Sequence, residues 1–346
     1  MKQSVKPIIF LLTVMVLIFW FRFSILNFTF NQLSQTKIFL KSGRSFSPNL
    51  QLQYVQLFRP TDKNLFVGSS VFDGYLYQLK FLDLDPNIIK KYKSYFRINR
   101  GYFLFNDEFK LLNRSVGKNI IFFLQPGELS LPNDFKPFSS SVVPIGTEEL
   151  MDHIDALKSY YLETGETDFI RLIAKVYLPE YLLNRSLADS IYFSIFSYYI
   201  KSFLTYPKPY YNLSKDPPKD FVLDRSIQII ETGNNAATLH FFYMKNYIKK
   251  LLQNHTVTFV ELSHAPSCEE ESTLKYRKVL YSLMERLKNE LKNPQMNFIK
   301  RDELPLPANT FFKDCIHVNP QYPSKDKLDF LKSYFNNVLE KVEAQY

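Results

Sequence analysis

Apolar and polar positions come in blocks along this chain: short apolar runs closed by turn-forming residues alternate with longer stretches of helical periodicity. The run at 64–67 stops at Gly68-Ser69-Ser70, which predicts a buried strand leading into a turn. A helix is expected at about 75–80. Residues 94–98 read as a second strand, closed by Asn99-Arg100-Gly101, and 118–124 as a third, closed by Gln125-Pro126-Gly127. The run at 256–262 predicts a fourth strand, closed by Ser263-His264-Ala265-Pro266, and 295–299 a fifth. Helical periodicity predicts helices at about 236–252, 270–291 and 324–342. Strands of this kind, alternating with helices, imply a parallel sheet covered on both faces, hence an α/β fold. Residues 146–206 break the alternation and read as a helical insertion after the third strand. Its aromatic stretch at 192–199 is either core or a surface for a membrane or partner. A Pro-, Tyr- and Lys-rich loop follows at 206–220.

The N-terminus is different. After Lys2 and Lys6, residues 7–21 are apolar except Thr13, and Arg22 ends the run. No small-residue cleavage pattern follows, so the pattern predicts an uncleaved transmembrane signal anchor rather than a removed signal; the alternative is a buried core helix. The two lysines put the N-terminus in the cytoplasm and everything after about residue 30 outside, in a periplasm-like space. The expected organisation is a cytoplasmic stub and anchor at 1–30, a stalk at 31–60 and one domain at 61–345.

Composition narrows the class. Of 346 residues, 46% are hydrophobic and only nine are glycine, which excludes a disordered chain and glycine-repeat architectures. Two cysteines exclude a disulfide framework and a cysteine-rich metal site. The net charge of +9 suits nucleic acid in a cytosolic protein. For a translocated domain it suits anionic headgroups or an acidic envelope polymer instead, or is simply a soluble Lys-rich surface. No nucleic-acid partner is expected.

No glycine-rich phosphate loop, HExxH or CxxC motif is present. Two features remain: Gly68-Ser69-Ser70 directly after the first strand, and Asp314-Cys315-Ile316-His317 before the last helix. Strand ends of an open parallel sheet form a common rim where ligands bind, and both features belong there. Ser70 at a strand-to-helix turn exposes its hydroxyl as a nucleophile, His317 can take its proton, and Asp314 can fold back to orient the imidazole. The plainer alternatives are a helix-capping Ser70 and a surface His317. Glu261-x-x-His264 ends the fourth strand on the same rim, with His264 either lining the substrate or serving as a structural histidine.

Val67-Gly68-Ser69-Ser70 together with Asp314-x-x-His317 resembles the SGNH/GDSL hydrolase superfamily. The N-terminal anchor and the segment from Asn309 to Asn319 resemble more narrowly its DltD-like and AlgX-like membrane-anchored envelope branch. The resemblance implies a three-layer α/β/α fold with a flavodoxin-like parallel sheet. It implies ester hydrolysis or O-acyl transfer on cell-envelope glycan or other acyl esters, beside a membrane-bound O-acyltransferase, with no metal or organic cofactor. By position it makes Ser70 the nucleophile, His317 the base and Asp314 the orienter, with Gly101, after Asn99, giving an oxyanion-hole N–H. The family's Gly-x-Asn-Asp block is absent: Gln125-Pro126-Gly127-Glu128 stands there, so Gln125 or Asn235 is the substitute oxyanion donor, or the chain is a catalytically degenerate binder of envelope polymer or of an acyltransferase. A scaffold using the aromatic insertion is a third reading. Cys268 and Cys315 both fall on the rim, where they can pair in an oxidising compartment or remain thiols.

Overall fold

The computed structural model describes residues 7–14, 16–17, 64–69, 72, 75, 92–97, 118–125, 147–168, 170–171, 174, 222–223, 234–319 and 325–344. Five strands form one parallel sheet: β1 (Asn64–Ser69), β2 (Tyr92–Arg97), β3 (Asn119–Leu124), β4 (Thr256–Glu261) and β5 (Met296–Ile299). Their spatial order is β2-β1-β3-β4-β5, every neighbouring pair parallel. The chain steps outward from β1 to β2 and then returns to the other side of β1. In doubly wound sheets of this order, the crevice between β1 and β3 is where ligands bind. The register sets the level of the rim: Ser69 lies opposite Arg97, and Leu124 opposite Glu261.

The central strands are apolar on both sides because both faces are covered. Leu65, Val67, Ile120, Phe122, Val257 and Phe259 share one cluster with helices α1 (Thr147–Thr164), α2 (Asn234–Leu251) and α3 (Glu271–Leu291). The alternate residues Phe66, Ile121, Phe123 and Val260 share a second cluster with α4 (Lys325–Glu343) and with Phe72 and Tyr75. This is the period of two expected of a strand. The helices show the complementary period: Leu331, Phe335, Val338 and Val342 are the buried stripe of α4. Across the helical layer, Arg286 of α3 pairs with Glu163 of α1 at 2.7 Å and lies 3.9 Å above the Phe241 ring of α2.

Part of the sequence expectation falls outside the described residues: most of the helix at 75–80, the stalk at 31–60, the loop at 206–220 and the aromatic stretch at 192–199. Residues 7–14 and 16–17 are helical and lie within the predicted anchor. Among the described residues, no helix is long and apolar enough to cross a membrane.

Gly68 is needed where it stands. A Cβ there would collide with the Cβ and ring of Phe72. Phe72 is itself fully buried, stacked on Phe123 with ring centroids 3.9 Å apart. Gly68→Ala should therefore destabilise the domain by about 1–3 kcal/mol through overpacking. Thermal denaturation checks this, and an unchanged midpoint would mean that Phe72 does not lie against Gly68 in solution.

Candidate active site

Residues 311–319 fold into a tight reversal. Phe312 and Val318 make an antiparallel bridge, Lys313 N–H donates to the His317 carbonyl at 2.9 Å, and Asn319 N–H donates to the Phe311 carbonyl at 2.8 Å. Asp314 stabilises the turn from within: its Oδ1 accepts the backbone N–H groups of Ile316 (2.9 Å) and His317 (2.7 Å). Short acidic side chains favour this kind of local bonding. The same carboxylate lies 3.0 Å (Oδ2) and 3.1 Å (Oδ1) from Nδ1 of His317. A carboxylate only accepts, so Nδ1 carries a proton, and in the neutral imidazole the lone pair is then on Nε2. Burial pushes the Asp314 carboxyl up, but the hydrogen bonds from the His317 ring and from the His317 and Ile316 N–H groups outweigh it and hold it below its ordinary value. Asp314 is buried, whereas the His317 side chain is 28% exposed. The orienting group is thus shielded and the proton acceptor accessible.

Two sets of contacts seat this turn at the sheet's rim. The loop leaving β4 holds it on one side: Ala265 N–H donates to the Cys315 carbonyl at 2.9 Å, and Cys268 and Cys315 are disulfide-bonded. Ser267 N–H adds a bond to Asn309 Oδ1 at 2.9 Å. That loop is fastened to the sheet, since Leu262 N–H donates to the Leu124 carbonyl at 2.8 Å. On the other side, Phe311 packs edge-on to Tyr75 with centroids 5.2 Å apart, and Tyr75 belongs to the chain just after β1. The turn is therefore in contact with the elements that follow both β4 and β1.

The predicted residues distribute as follows. Asp314 and His317 are brought together. Ser70, Asn99 and Gly101 lie outside the described residues; β1 ends at Ser69, one residue before Ser70. Gln125 is buried immediately after β3, between the ends of β1 and β4. Asn235 is exposed in the first turn of α2, on the opposite face of the sheet from the Asp314–His317 turn. His264 is at the rim but 2% exposed, and among the described residues its buried Nδ1 has no hydrogen-bond partner. Burial lowers its pKa to about 4; Glu269 opposes this and Arg277 and Arg301 add to it, so the ring is neutral at pH 7. Glu261 does not pair with it. That carboxylate points to the α3 face, where Arg277 Nε (2.7 Å) and Tyr281 OH (2.7 Å) donate to it, joined by Arg301 N–H at 3.1 Å.

Sequence reasoning missed the group around Glu261. Glu269 bridges Arg277, with two contacts of 3.0 Å, and Arg301. The available signal was an acidic residue closing a mostly apolar strand, which must be paired to be buried. Among the described residues, no cluster of three or more His, Cys, Asp or Glu side chains could hold a metal ion. In comparisons with known proteins, no family model, no curated protein and no solved structure matches the chain.

Two buried histidines set a pH dependence. Burial lowers His240, in the middle of α2, to about 3, and His264 to about 4, from an ordinary 6.5. Below pH 6.5 the unfolded chain binds protons that the folded chain refuses. Stability is therefore full above that pH and should fall by about 1.4 kcal/mol per pH unit per histidine as pH drops toward 4. Asp314 adds its share only below its ordinary 3.8. Urea unfolding at pH 7 and at about pH 5 reads the slope, and His240→Phe should roughly halve it. A flat profile would mean that the two rings are not buried as neutral groups.

Proposed function

We propose that this chain is a membrane-anchored, outward-facing serine esterase or O-acyltransferase of the SGNH type, acting on cell-envelope glycan or other acyl esters. The observation that carries the reading is the Asp314–His317 pair, with its Nε2 lone pair left for a proton, seated at the rim of a sheet whose first strand runs into Gly68-Ser69-Ser70. Three further features support it. The 2-1-3-4-5 strand order puts ligands between β1 and β3. The Cys268–Cys315 disulfide suits an oxidising compartment. The basic N-terminus followed by a long apolar run suits an anchor with the domain outside.

In this reading the Ser70 hydroxyl attacks the ester carbonyl while His317 Nε2 takes its proton, and Asp314 stabilises the resulting imidazolium. The tetrahedral intermediate collapses to an acyl-serine, and His317 returns the proton to the departing alkoxide. Water or a glycan hydroxyl then attacks the acyl-serine with His317 again as base, giving acid or transferred ester. The net charge of +9 favours an anionic polymer or headgroup surface nearby.

One feature favours a second reading, a catalytically degenerate protein of the same fold that binds envelope polymer or an acyltransferase. Gln125-Pro126-Gly127-Glu128 follows β3 where an Asn donor is expected. Loss of one oxyanion donor costs about 2.7–4 kcal/mol of transition-state stabilisation in a measured case. Fluorophosphonate treatment of the folded protein, with the adduct located by mass spectrometry, separates the two. The esterase reading expects an adduct on Ser70 that disappears in Ser70→Ala and His317→Ala and forms more slowly in Asp314→Asn, by on the order of 10⁴-fold. No adduct, with polymer binding intact in both alanine variants, would establish the binder instead.

A further inference from the structure

We propose that Glu269 is a positioning residue for the Asp314–His317 pair, acting through the Cys268–Cys315 bond. The inference rests on the esterase or acyltransferase reading for its consequence on the reaction, but not for its geometry.

Four charged side chains meet at the end of β4: Glu261, Glu269, Arg277 and Arg301. Their exposures are 0%, 19%, 14% and 11%, so each depends on the others for pairing. They come from three places: the end of β4 and the loop after it, the first half of α3, and the turn Arg301–Glu303 that follows β5. Both arginines are engaged more than once. Arg277 contacts both carboxylates, and Arg301 gives its backbone N–H to Glu261 and its side chain to Glu269. Glu269 is held by both arginines and Glu261 by Arg277, Tyr281 and the Arg301 N–H, and these several directional contacts make the corner stiff.

Glu269 is the member of this corner that belongs to the loop, and it follows Cys268 directly. The loop is held at one end by Leu262 N–H on the Leu124 carbonyl and at the other by Glu269. From the span between these fixed ends come the ties to the histidine turn: the Ala265 hydrogen bond, the Ser267 hydrogen bond and the disulfide. Cys315 is next to Asp314 and two residues from His317. A shift of the loop's far end is therefore passed covalently to the residue between the carboxylate and the imidazole. A catalytic base misplaced by about 1 Å can lose on the order of 100-fold in rate.

The test uses the full-length protein in detergent, labelled with ¹⁵N-histidine. The ring nitrogens of His317 report whether Nδ1 alone carries the proton. In the wild type a single Nδ1-protonated form is expected; in Glu269→Ala, averaging between tautomers; in Glu269→Gln, which keeps the shape and one acceptor oxygen, partial recovery. Fluorophosphonate labelling of Ser70 should slow by roughly 10- to 100-fold in Glu269→Ala. Combining it with Cys268→Ser/Cys315→Ser should be no worse than the cysteine pair alone, because both act along one path. Multiplicative losses, or a Glu269→Gln variant with lowered melting temperature but unchanged His317 nitrogens, would overturn the proposal. A wild type that takes no label would sink the enzymatic reading and leave the nitrogen spectra to decide the positioning role.

Discussion

A disulfide between Cys268 and Cys315 joins the loop that leaves β4 to the turn that carries His317. Among the described residues that turn has no ladder with the sheet; its own pairing is the single bridge between Phe312 and Val318. Its position over the rim depends on what it is tied to. The backbone bond from Ala265 contributes about 1 kcal/mol net. Closing a chain separation of 47 residues with a covalent bond contributes about 4 kcal/mol in the chain-entropy account. The covalent tie therefore dominates, and the hydrogen bonds from Ala265 and Ser267 fix orientation more than they supply energy.

The sheet explains why that tie is placed after β4. Strands β1 and β4 are separated by β3, about 10 Å at the usual strand spacing. A histidine held only at the end of β4 would stand too far from the end of β1 to share a proton with a group there. The aromatic contacts of Phe311 extend the turn toward the β1 side: its ring centroid lies 5.2 Å from that of Tyr75 and 4.9 Å from that of Phe330 of α4.

Much of this was legible in the sequence, for a physical reason. Strands buried on both faces read as largely apolar runs, so the central strands β1, β3 and β4 are visible as such, and with the edge strand β5 they differ from their expected bounds by no more than two residues. β2, Tyr-Lys-Ser-Tyr-Phe-Arg, lies on an edge and carries charges, and its observed start is two residues earlier than the pattern suggests. The Asp314–His317 pair was legible because it is local: three residues in a turn suffice for contact. Cys268 and Cys315 were both assigned to one rim, which left both pairing and free thiols open; the structure shows them disulfide-bonded. The partners of Glu261 were not legible because they are remote in sequence: Arg277 and Tyr281, which donate to it, stand 16 and 20 residues away on α3.

The proposed positioning role gives the charges at the end of β4 a reason that their stability contribution alone does not supply. Replacing a buried ion network by apolar residues is often neutral or stabilising, so energy is a weak reason to keep one. Direction is a stronger reason. Apolar packing tolerates small slips, because dispersion is nearly isotropic over tenths of an ångström. Glu269 gripped in a planar fork by Arg277 does not, because the two 3.0 Å contacts fix angle as well as distance. In the proposed reaction the imidazole presents one nitrogen to Asp314 and the other to the Ser70 hydroxyl, which demands that angular precision. The proposed positioning role would supply it through a chain of directional links at the β4 rim: Arg277 to Glu269, Cys268 to Cys315, Asp314 to His317.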